Sequence, residues 1–142
     1  MYTTILHPTD LRENHFEMCK QATQIATFFN AKLHLLHVIE PPSTYQLAQG
    51  LGFAEIGVPA KEDAQMVMKY LGDALNIPAE QLHVEVGSVK THIIDMITNL
   101  GCNLVIIGSH TPSAVPAFLG STAYAVFHQA PCDVLTLRVK EE

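Results

Sequence analysis

Strand-length apolar runs alternate with helix-spaced stretches along this chain, and that pattern predicts an α/β protein built on one open parallel sheet with helices on both faces. Three observations carry the expectation. Five apolar runs recur, each separated from the next by a segment with apolar residues three and four apart. Two of those runs, 33–39 and 104–107, are almost continuously apolar, as strands covered on both sides are. The chain has 142 residues, 48% of them hydrophobic and 15% charged, which suits one core and one domain over 1–142.

The elements follow in order. Residues 4–7 read as the first strand. Over 11–29, Cys19, Ala22, Ile25, Ala26 and Phe29 line one face of a helix. Residues 33–39 form the second strand. Ala64, Val67, Met68, Leu71 and Leu75 mark a helix over 60–75, and 82–86 is a short strand. Ile93, Ile94, Ile97 and Leu100 mark a third helix, which Gly101 stops. Residues 104–107 are the fourth strand. Ala123, Val126 and Phe127 lie on a last helix with Pro131 just past its end, and 134–139 is the closing strand. The segment 41–59 fits no element. It holds three prolines and three glycines together with Tyr45, Leu47, Leu51 and Phe53, and reads either as a functional loop or as a surface excursion with apolar anchors.

Composition narrows the function. A net charge of -6, with only 8 Lys and Arg, offers no basic stripe for a nucleic-acid backbone. Cys19, Cys102 and Cys132 are widely spaced and contain no C-x-x-C pair, so neither a disulfide framework nor a thiolate zinc site is expected. Eight histidines are dispersed. His34 and His37 sit three apart on a strand and so point to opposite faces, and no metal site is expected. No signal peptide and no run long enough to span a bilayer is visible, which points to a cytoplasmic protein without a membrane partner. There is no Walker motif, no G-x-G-x-x-G after the first strand and no G-x-S-x-G elbow.

Ligands of open parallel sheets bind beyond the carboxyl ends of the strands. Three such ends carry suggestive residues: Pro8-Thr9-Asp10, Val38-Ile39-Glu40, and Gly108-Ser109-His110 leading on to Gly120-Ser121-Thr122. A glycine followed by hydroxyl residues at a helix start exposes N–H groups where the helix dipole is positive, and phosphate fits there. Ser121 or Thr122 serves equally as a plain helix cap. Asp10-x-x-Glu13 reads as a capping box for the first helix and also as a ligand contact. No Lys or Arg is apparent near the phosphate end.

The segments ILHPTD, LHVIE, VIIGSH and AFLGSTAYAVFHQAPCDVLTL together resemble the universal stress protein family across the whole chain, and its bacterial F/G-type branch in particular. The resemblance implies a five-stranded parallel sheet of order 3-2-1-4-5, of the adenine nucleotide alpha hydrolase-like, Rossmann-like type. It also implies a homodimer through the last strand and binding of ATP or ADP, with Mg²⁺ able to accompany it. Carried over residue by residue, Pro8, Thr9 and Asp10 approach the adenosine and Val38 touches the adenine. Ile107, Gly108 and His110 line the end of the fourth strand. Gly120, Ser121 and Thr122 hold phosphates, and Ala123 follows them into the helix. The family's G-x-x-G-x9-G-S/T loop is altered here: Thr111 replaces its second glycine, and the stretch to Gly120 is one residue shorter. Two functions follow, a nucleotide-binding stress or regulatory module without enzymatic turnover, or an interaction module of the same fold that has lost the nucleotide. A small transferase or hydrolase is a third and weaker reading.

Overall fold

The computed structural model describes residues 1–12, 15–41, 58–109 and 121–138. Five strands, β1 (Thr4–Pro8), β2 (Lys32–Ile39), β3 (Leu82–Val86), β4 (Leu104–Ser109) and β5 (Asp133–Arg138), form one sheet of order β3-β2-β1-β4-β5. Every registered pair is parallel. The connecting helices are α1 (His15–Phe29), α2 (Val58–Leu75), α3 (Val89–Leu100) and α4 (Ser121–Gln129). The expected sheet order is therefore observed.

Alternation along the strands splits the core into two layers. Ile5, Leu33, Leu35, Val84, Leu104 and Ile106 pack under Cys19, Ala22 and Ala26 of α1 and Ala64, Met68 and Leu71 of α2. Leu6, Leu36, Val38, Val105 and Ile107 pack under Ile93 and Ile97 of α3 and Ala123 and Val126 of α4. Burial on both faces explains why the central strands read as continuous apolar runs. The stop after α3 is the expected one: Gly101 takes φ 66, in the left-handed region, and its N–H returns to the carbonyls of Ile97 and Thr98.

Three boundaries differ from the sequence reading. α1 begins at His15, not in the turn after Asp10. Asp10 Oδ1 accepts from the N–H of Arg12 at 3.0 Å, closing a local turn ahead of the helix. The expected partner in the capping box, Glu13, lies outside the described residues. Val58 and Pro59, read as the end of a loop, open α2 instead, where a proline without an N–H costs no intrahelical bond. Residues 42–57, the rest of that loop, lie outside the described residues, as does Val139 at the end of the last strand.

Candidate functional site

The sheet reverses its winding at β1. From there the chain moves outward through β2 and β3 on one side, then crosses to β4 and β5 on the other. In such sheets the crevice lies at the carboxyl ends of the two strands flanking the reversal, here β1 and β4.

Proline creates the opening. β1 and β2 stay in register over five pairs, from Thr4↔Lys32 to Pro8↔Leu36. β1 and β4 share only two, Ile5↔Leu104 and Leu6↔Val105. The N–H of Thr9 points to β2 and donates to Leu36 O at 2.8 Å. Alternation therefore turns the nitrogen of Pro8 toward β4, where it has no hydrogen to give. A side chain makes the tie instead: His7 Nδ1–H donates to Ile106 O at 2.8 Å. A carbonyl only accepts, so this bond fixes the tautomer and leaves Nε2 as a bare acceptor. His7 is buried, and its Nε2 has no partner among the described residues. Burial pushes the His7 pKa down, opposed by the bond to Ile106 and by the charge of Asp10.

The loop after Pro8 is held from several sides. His37 Nδ1–H donates to Thr9 O at 2.9 Å. Thr9 Oγ1 accepts from Leu11 N at 3.2 Å. Leu11 sits at φ 56, a left-handed conformation that costs a branched residue about 1 kcal/mol or more. These struts hold Pro8, Thr9 and Asp10 in one conformation at the mouth. Val38, buried on the α3/α4 face of β2, and Ile107, buried on the same face of β4, form apolar walls on either side of β1. Gly108 follows Ile107. Ser121 begins α4, Thr122 is half-buried, and Ala123 packs into the core beneath. Six of the eleven expected contact residues, Pro8, Thr9, Asp10, Val38, Ile107 and Gly108, thus stand at the carboxyl ends of β1, β2 and β4, and Ser121, Thr122 and Ala123 open the helix that follows β4. His110 and Gly120 lie outside the described residues.

One expectation is corrected. No Lys or Arg was expected near the end of the fourth strand, yet the parallel register places Arg138 directly beside Ser109. The two are 29 positions apart in sequence, and only the pairing of β4 with β5 joins them. The histidines sort as alternation requires. His37 supports the loop, while His34 sits across the sheet on the α3/α4 face, its Nδ1 2.9 Å from His83 Nε2. Burial lowers both of those pKa values, reinforced at His34 by the neighbouring His83. Among the described residues no group of three or more His, Cys, Asp or Glu is disposed to hold a metal, and no helix is long and apolar enough to cross a membrane.

The model of the universal stress protein family matches residues 1–138. The chain belongs to the universal stress protein family. Universal stress protein A homolog 2 of Coxiella burnetii is 34% identical over 124 residues, covering 87% of this chain and 85% of that protein. Universal stress protein G of Escherichia coli O157:H7 is 33% identical over 147 residues, covering 97% and 100%. Among solved structures, hypothetical protein MJ0577 superposes with a TM-score of 0.79 at 24% identity, over 100% of this universal stress protein and 99% of that chain. A universal stress protein in complex with cAMP superposes with a TM-score of 0.68 at 18% identity, over 96% and 97%. At these identities the two structures share the fold.

Proposed function

We propose that this universal stress protein is a cytoplasmic regulatory module of the stress response that binds an adenine nucleotide, ATP or ADP, in the crevice between β1 and β4. The observation that supports it most is the opening of the sheet at Pro8, with a braced Thr9–Asp10 loop on one lip and the start of α4 beyond the other. Asp10 accepts hydrogen bonds from the nucleoside, and Val38 and Ile107 give its base an apolar surface. The segment from Gly108 and His110 through Gly120, Ser121, Thr122 and Ala123 receives the phosphates, with Mg²⁺ accompanying them. The relative solved with cAMP supports an adenine ligand for the fold. Calorimetry on the whole chain tests the reading. Wild type binds ATP or ADP, Gly120→Val abolishes binding because a side chain fills the phosphate's space, and Asp10→Ala weakens it roughly tenfold to a hundredfold. The same protein turns over ATP far below about 10 per second, the enzyme median. No heat and no competition up to millimolar nucleotide would favour the pure interaction module instead.

The assembly we propose is a homodimer through β5. This strand is an edge of the sheet, and Leu135 and Leu137 on it are only partly buried. An open apolar edge invites a partner strand, and a second copy satisfies it with two-fold symmetry. Sedimentation at micromolar concentration should give a dimer that Leu137→Lys dissociates. A wild-type monomer, or a variant dimer of unchanged strength, would refute it.

A further inference from the structure

A polyphosphate brings several negative charges to the crevice. A helix N-terminus offers the equivalent of only about half a positive charge against them. The remainder must come from cations, and the fold sorts those among the described residues, Lys140 lying outside them. Lys32 begins β2 and so lies at the amino edge of the sheet, away from the mouth. Lys20 belongs to α1, and Lys61 and Lys69 to α2, the layer opposite α4. Lys90 lies in the first turn of α3, which follows β3 at the far border of the sheet. Arg12, whose N–H is bonded to Asp10, stands on the lip of β1, toward the nucleoside end and not beside β4.

Arg138 differs from all of these. It ends β5 and is registered with Ser109, so its main chain runs about 4.8 Å from the last residue of β4. Its face follows from its neighbours. Val134 packs with the α3/α4 layer, whereas Leu135 and Leu137 pack with the α1/α2 layer. Alternation puts Arg138 on the α3/α4 side. That is the side of Val38 and Ile107, and the side on which α4 packs. The residue is exposed, and among the described residues its side chain makes no ion pair. A guanidinium suits the task, since its planar fork of donors matches phosphate oxygens.

We propose that Arg138 is the residue that makes this crevice discriminate by phosphate charge, favouring ATP and ADP over singly charged or uncharged adenosine derivatives. This rests on the nucleotide reading above. The guanidinium meets the outer phosphates beside the Gly108–Ser109 end of β4. It makes no contact with the base or ribose, which lie toward Thr9, Asp10 and Val38.

Titration calorimetry on the full chain, with ATP, ADP, cAMP and adenosine as probes, tests it. Arg138→Gln should weaken ATP binding about tenfold, the loss of one charge-assisted bond. ADP should lose less, and cAMP and adenosine nearly nothing. Arg138→Lys should restore part of the ATP affinity. The gap between wild type and Arg138→Gln should narrow with added salt, because the side chain is exposed. Loss of equal size for ATP and adenosine would mark a structural effect and overturn the proposal, as would ATP binding unchanged by Arg138→Gln. If ATP binding survives Arg138→Gln yet fails in Gly120→Val, the nucleotide reading stands and the role of Arg138 falls. If wild type binds none of the four probes, both fall.

Discussion

Ile106→Ala should destabilise the fold by about 2–5 kcal/mol, the range for truncating a buried aliphatic side chain. Ile106 lies in β4, between β1 and β5, with none of its side chain exposed. It belongs to the layer formed with Ile5, Leu35, Leu104 and the buried residues of α1 and α2. Its environment is strand-borne on both sides, so the sheet cannot collapse into the space left behind, and the cavity adds to the lost burial. Against a typical domain stability of about 5–15 kcal/mol, the loss is a large fraction of the whole. It should appear as a urea midpoint lower by about 1–2 M, with the slope of the transition unchanged. Ile106→Val should cost only about 0.5–1.5 kcal/mol. An alanine variant within about 1 kcal/mol of wild type would show that this layer is not closely packed.

Acid should weaken the fold, and the buried His7 contributes to the effect. Burial holds its folded pKa below the ordinary 6.5, so the native state refuses a proton that the unfolded chain accepts. Stability is therefore independent of this group well above pH 6.5 and falls as pH drops below it, levelling once the folded-state pKa is passed. While only the unfolded chain is protonated, the slope is about 1.4 kcal/mol per pH unit. His34 and His83 act in the same direction, since burial lowers both. Two protonated rings cannot keep their 2.9 Å contact. His7→Gln keeps an N–H donor for Ile106 O and removes the titration. Urea denaturation at pH 7.5, 6 and 5 should show its acid slope reduced by about one proton. A slope identical to wild type would place the acid sensitivity elsewhere.

The strands and helices of the sheet were legible because periodicity reports burial, and in a parallel sheet burial is nearly all that distinguishes strand from helix, whereas the strand order came from the family resemblance alone. Gly101 was legible as a stop because only a residue without a Cβ takes φ 66 freely. The start of α1 was placed too early because Asp10-x-x-Glu13 has the spacing of a capping box, whereas Asp10 closes a local turn and Leu11 at φ 56 turns the chain away before the helix begins. Pro59 was assigned to a loop because prolines punctuate loops, although they also open helices. The site's strand ends could be named from the sequence. The brace from His37 to Thr9 and the cation beside Ser109 could not. Both are cross-strand relations fixed by register, and a single chain read in order carries no direct signal of register.

The short ladder between β1 and β4 has a mechanical consequence. Six registered pairs join β4 to β5, five join β1 to β2 and five join β2 to β3, but only two cross the middle. The sheet is thus two stiff planks, β3-β2-β1 and β4-β5, meeting along a seam that is fastened near its amino end and sprung at its carboxyl end. A small shear between the planks widens or narrows the gap between Thr9 and Gly108 while breaking few main-chain bonds. The imidazole of His7 is the rivet nearest the open end of that seam, and any molecule gripping both lips acts as a second one.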